Sequence, residues 1–158
     1  MTLSLDRWIG MVAVVTGASS SMGAAIAEEL VAALARRQEQ LDELAKRLEG
    51  RKGKLVPIKA DVSKEEDILN AFRWIDDHLG SVHILINSAG TLHEGFLSDG
   101  DSECWNNTLR VNVLGLSIAT REAIKNMKTN GVNGHIIHIN SVAGHRVPNI
   151  QGLNLYPA

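Results

Sequence analysis

The sequence predicts an α/β fold, a parallel sheet with helices on both faces. Three observations predict it. Short apolar runs rich in β-branched residues recur at 11–15, 55–60, 82–86 and 135–140. Between them the apolar spacing shifts to the helical period. Small or turn-forming residues follow the runs, as when a strand hands over to a crossover helix.

Taken in order, residues 11–15 read as a strand buried on both faces, as in parallel sheets. Residues 16–21 are small and polar and suit a tight loop. From 22 to 48 the pattern is helical: Ile26, Leu30, Leu34, Leu41, Leu44 and Leu48 share one narrow arc, and only Gly23, at the start, departs from good helix-forming composition. As a single helix this stretch would be about 40 Å long, far longer than a strand of about 17 Å beneath it. Buried strands are expected at 55–60 and 82–86. A helix is expected over 64–79, with Ser63 as N-cap and Glu66 completing a capping box. Residues 102–127 read as helix interrupted at Gly115, and 135–140 as the last strand.

At 158 residues the chain is large enough for one domain with a proper core, and its 44% apolar and 22% charged residues are ordinary for a globular protein. A net charge of −2 gives no pull toward nucleic acid or an anionic membrane. The absence of any apolar run approaching ~18 residues leads us to expect no membrane span. Residues 1–10 carry Asp6 and Arg7 and no apolar core, unlike a signal peptide. The single cysteine, Cys104, fits a reducing compartment, and a cytoplasmic location is expected. His135 and His138 sit three apart on a strand, on opposite faces, and are not expected to share a metal.

Three segments fall where strands end. Thr16 to Gly23 joins the first strand to the first helix, where backbone N–H groups can meet a pyrophosphate; Gly17 would permit the turn and Gly23 close helix packing. Asp61, with Val62, ends a strand where a carboxylate could accept from an adenine amine. Asn87-Ser88-Ala89-Gly90 places small residues where a flat ligand lies close to backbone. Each has a plainer reading as a turn, but all three occupy the crevice where open α/β sheets bind ligands.

Together with Val111-Asn112-Val113, and with Asn140-Ser141-Val142 followed fifteen positions later by Tyr156, these segments stand in the order of the short-chain dehydrogenase/reductase family. The sequence resembles that family along its whole length. Residues 134–146 are most similar to the branch holding insect farnesol dehydrogenases and the member-11 dehydrogenase/reductases. The resemblance implies a Rossmann fold over residues 1–158 and interconversion of a small-molecule alcohol and a carbonyl. It makes Tyr156 the acid/base, Ser141 a donor to the same substrate oxygen, and Asn112 the holder of a water. A phenol ordinarily ionises near pH 10, about three units above neutrality, so it needs a nearby cation. Cofactor contacts are implied for Gly17, Ser19, Ser21, Met22, Gly23, Asp61, Val62, Asn87, Ala89 and Gly90. Arg36 and Arg37, which follow Leu34-Ala35, are suited to a ribose 2′-phosphate and favour NADP over NAD.

Two departures from the family pattern are expected to matter. The family's second strand is not evident before the arginine pair; about seven to ten residues look absent. Arg36 and Arg37 would then sit on a helix with one wall of the adenosine pocket missing. The family lysine four positions after the tyrosine would fall beyond Ala158, and roughly a third of a full domain lies outside the sequence. Impaired catalysis is therefore expected. The alternative is a non-catalytic relative that binds nucleotide weakly or joins full-length subunits, since family members form homo-oligomers and residues 101–128 resemble an interface helix. A methyltransferase-type domain would give the Asn87 and Ser141–Tyr156 elements no role.

Overall fold

Strand β1, Val12–Thr16, is buried at every position and forms the middle of the molecule. Its valines and alanine leave no polar side chain except Thr16 to satisfy, so both faces can be covered by helices. The computed structural model describes residues 10–19, 21–27, 32–50, 54–146, 152–153 and 155–157, with only the backbone of Ser21. Around β1 lie β2 (Ala32–Ala35), β3 (Val56–Lys59), β4 (Val82–Asn87) and β5 (His135–His138). They form one parallel sheet in the order β3-β2-β1-β4-β5. The helices are α1 (Ser21–Ala27), α2 (Gln38–Arg47), α3 (Glu65–His78), α4 (Ser102–Leu109) and α5 (Leu116–Thr129).

Side-chain alternation divides the core in two. Val14, Leu34 and Leu85 face α3 and α5, meeting Ile68, Phe72, Ile75, Ile118 and Ala123. Val15, Ala33, Ile84 and Ile86 face the other way, onto Ala27 of α1 and Leu41 and Leu44 of α2. Helices therefore cover both faces, as the composition of the strands predicts. Val82 lies on the α3/α5 side although Ile84 does not, because the ladder slips between Val12 and Ala13 opposite His83. An irregularity of this kind breaks the two-residue alternation. Val12 N–H donates to His83 Nδ1 at 3.2 Å across the slip.

The expected continuous helix over 22–48 is corrected by the structure. The second strand is present as β2, paired with β1 on one side and β3 on the other. Ala32-Ala33-Leu34-Ala35 carries the composition of a good helix former, but a ladder on both sides fixes it as extended backbone. All four residues are buried, and alanine lets flanking helices approach closely.

Smaller expectations are also revised. Residues 55–60 do not form a strand buried on both faces: β3 is an edge strand with half-buried side chains and an exposed Lys59. Pro57 is tolerated at such an edge. Ser63 does not cap α3; Lys64 is the N-cap and makes no side-chain capping bond. The Ser63 hydroxyl donates instead to Asp61 Oδ1 at 2.8 Å. Nor does Gly115 interrupt its helix. The chain runs from α4 through a π-helical stretch, Arg110–Gly115, straight into α5. Across the surface between α3 and α5, Arg121 bridges Glu65 at 2.8 Å and Glu122 at 2.6 Å, and Lys125 meets Glu122 at 3.0 Å. No helix among the described residues is long and apolar enough to cross a membrane.

Candidate active site

The parallel strands all point their C-terminal ends at one rim. There β1 ends in Thr16, whose side chain is buried and whose hydroxyl oxygen accepts from Ser88 N–H and Ala89 N–H, both at 3.2 Å. This ties the turn after β4 to the turn after β1. Gly17 completes the junction with φ of +70°. A Cβ there would lie 2.6 Å from Ala89 Cα, so the two turns touch through bare backbone. Gly23, in the first helix, is pressed against the Gly17 carbonyl in the same way.

Two clefts open along this rim. The first, of about 200 Å³, is lined by Gly17, Ser19, Met22 and Gly23 after β1, and by Ala35, Arg36 and Arg37 after β2. Ala60, Asp61 and Val62 after β3, with Ser88, Ala89 and Gly90 after β4, complete it, and Val111 looks in from the π-helical stretch. Ten of the twelve residues expected to hold a cofactor thus meet in one place. The expected removal of Arg36 and Arg37 onto a helix is corrected: both follow β2 and stand at the cleft. Arg37 Nη2 donates to Ser19 Oγ at 3.1 Å, joining two of its walls. Asp61 serves its turn as well as the cleft, with Oδ1 accepting from Ser63 N–H at 3.0 Å and its own N–H donating to Asp67 Oδ2 at 2.9 Å.

The remaining two expected contacts differ. The side chain of Ser21 lies outside the described residues, as does Ser20. Asn87 is buried and faces the α5 side of the sheet. Its Nδ2 donates to Thr120 Oγ1 at 3.0 Å and to His138 Nδ1 at 3.1 Å, so its amide braces β4 against α5 and β5.

The second cleft, of about 430 Å³, brings together Asn112, Ser141 and Tyr156. It shares Ala89 and Gly90 with the first, so the two clefts adjoin at the end of β4. Ser141 caps a 3-10 turn, Val142–Gly144, and its Oγ accepts from Ala143 N–H at 3.1 Å. With that lone pair engaged, the hydroxyl proton is available to another acceptor. Asn112 Oδ1 accepts from Thr91 N–H at 2.8 Å while Nδ2 donates to Thr91 O at 2.9 Å. One N–H and one lone pair of that amide remain for a further partner. Tyr156 is half-buried, in a turn closed by its own N–H to Leu153 O at 3.1 Å. Leu109, Val113, Leu116 and Leu155 supply apolar wall, and no Lys or Arg lines this cleft among the described residues.

Sequence reasoning missed Ala35, Ala60 and Val111. The first two follow from the rule that strand ends line the crevice, once β2 is recognised. His138 was noted only as a histidine; its place at the edge of the second cleft carried no signal in the sequence.

Comparison with known proteins agrees with this geometry. Residues 11–158 match the profile of the short chain dehydrogenase family. Farnesol dehydrogenase of Aedes aegypti is 44% identical over 162 residues, which covers 98% of this chain and 66% of that protein. Dehydrogenase/reductase SDR family member 11 of Homo sapiens is 42% identical, with 98% of this chain and 63% of that protein covered. The chain thus spans just under two thirds of the length of these curated relatives. A solved short chain dehydrogenase from Burkholderia cenocepacia in complex with NADP is 29% identical and superposes with a TM-score of 0.86. That match covers 96% of this chain and 63% of the other. Fold, groove and sequence converge, and the chain belongs to the short-chain dehydrogenase family of oxidoreductases.

Proposed function

We propose that this chain binds NADP along the two clefts and belongs to an enzyme that interconverts an alcohol and a carbonyl. The observation that carries the reading is that the two clefts adjoin at Ala89 and Gly90. One side presents two guanidinium groups, a hydroxyl and a carboxylate; the other presents Ser141, Tyr156 and Asn112. A phosphate-bearing dinucleotide fits the first donor set, with Arg36 and Arg37 at a 2′-phosphate, Asp61 and Val62 beside the adenine, and Gly17, Ser19, Met22 and Gly23 along the pyrophosphate. Ser21 and Asn87 are proposed with them, Asn87 as a brace for the floor. When bound, the cofactor supplies or takes up hydride.

The protein's own groups then handle charge and the proton. As a carbonyl is reduced, negative charge builds on its oxygen; the Ser141 hydroxyl donates a hydrogen bond to it and the Tyr156 hydroxyl delivers the proton. Asn112 retains capacity for one water beside Thr91. No Lys or Arg lines this cleft among the described residues, so there the proposed proton transfer rests on the Ser141 and Tyr156 hydroxyls. The single free cysteine is consistent with a cytoplasmic setting.

Titration of the chain with NADPH and NADH, followed by fluorescence and thermal melting, tests the reading. NADPH should raise the melting temperature by mass action, and NADH should do so only at concentrations at least about tenfold higher. Arg36→Ala/Arg37→Ala should abolish that preference. No shift with either nucleotide would refute the reading. A second reading, association with longer family members without catalysis, is favoured by Leu109, Val113 and Leu114 exposed along α4 and the π-helical stretch. Nucleotide binding without oxidation of NADPH by any of a panel of aldehydes and ketones would favour it.

A further inference from the structure

Gly115 has no place in either cleft, yet its bare Cα sits where backbone meets backbone. A Cβ there would collide with the carbonyl oxygen of Val62 and approach Arg110 O to 3.1 Å. Val62 is the cleft residue that follows Asp61 at the end of β3. Gly115 closes the π-helical stretch Arg110–Gly115, which also sends Val111 into the first cleft and Asn112 into the second. One widened helical turn therefore meets the Asp61–Val62 wall from behind through Gly115 and lines the first cleft with Val111 and the second with Asn112. π-helical stretches inside α-helices are rare and concentrate at functional sites.

Building on the proposed dinucleotide site, we infer that Gly115 is a positioning residue for the adenosine half: its missing side chain sets where the Asp61–Val62 wall stands. A side chain at 115 must either push that wall into the cleft or pull the π-helical stretch, and Val111 with it, away. Both movements spoil the fit to the adenosine half.

Calorimetric titration of the chain with adenosine 2′,5′-bisphosphate tests this. Gly115→Ala should weaken binding by roughly tenfold or more. The control is Gly134→Ala, before β5, where a Cβ would lie 2.8 Å from His83 O and close to the Met127 side chain. Both variants should melt below wild type, but Gly134→Ala should bind within about twofold of it, since no part of the groove touches residue 134. Equal losses in the two variants, or none in Gly115→Ala, would overturn the inference while leaving the dinucleotide reading intact. Failure of the wild-type chain to bind would remove both. Should Gly115→Ala not fold, hydrogen exchange on the wild-type chain decides. The bisphosphate should slow exchange at the Gly115 amide, which does not line the groove, and an unchanged rate there would overturn the inference.

Discussion

Gly17 has two independent reasons to be glycine. Its φ of +70° is a conformation other residues adopt at a cost, and the space a side chain needs is taken by Ala89. Gly17→Ala should lose about 2–3 kcal/mol in a urea melt and with it any nucleotide-induced stabilisation. Residue-level roles were legible from the sequence in proportion to how far backbone geometry dictates them. Gly17 and Gly23 could be assigned because turns and close packing demand them. The facing of Asn87 could have been read from strand parity, since Leu85 and Asn87 share a side while Ile84 and Ile86 take the other. The dual use of Asp61, with one oxygen held by Ser63, could not, because a turn and a ligand ask for the same residue type.

Elements were legible where pattern and neighbourhood agree, and β2 shows what happens when they disagree. Alanine is the best helix former, and no glycine or proline separates 24–35, so local sequence alone favours continued helix. What makes 32–35 a strand is pairing with residues about twenty positions away on either side, which no window of local sequence contains. The packing of α3 on α5 offers a test at this scale. Burial pushes the Glu122 carboxyl up, but hydrogen bonds from Lys125 and Arg121 outweigh it and hold the group below its ordinary value. A carboxylate depressed in the folded state adds stability above its unfolded pKa, and the gain is lost as pH falls through the folded value. Glu122→Gln should therefore melt lower than wild type near neutral pH, by no more than about 2 °C because Arg121 and Lys125 are exposed. The difference should vanish on acidification below the folded value.

At the scale of the whole molecule, the sheet is covered by helices above and below but, among the described residues, not at its sides. β5 pairs with β4 alone among the described residues, and three of its four side chains are exposed, including Ile137. An edge of this kind is where a further extended chain can pair. Concentration-dependent association should be measurable by light scattering, and Ile137→Lys should suppress it by placing a charge on the edge. Unchanged association in that variant would place the contact on another surface. The parallel sheet and its helical layers were readable from the whole sequence, and an exposed, association-prone edge was expected from comparison with the family pattern; His135-Ile-Ile-His138 alone looks the same whether or not a further strand lies beside it.

Gly90 stands apart from the other glycines of the rim. It is exposed, its φ is unexceptional, and a Cβ added to it would find only the Asn112 side-chain oxygen, at an ordinary 3.8 Å. The protein's own architecture has room for a methyl group there, whereas a dinucleotide bound as proposed would pass close beside it. A descendant that stopped using its ligand could drift to alanine or serine at 90 without penalty, while 17 and 23 stayed frozen. Position 90 is thus free of the fold's own packing, and the proposed ligand is what would hold it to glycine.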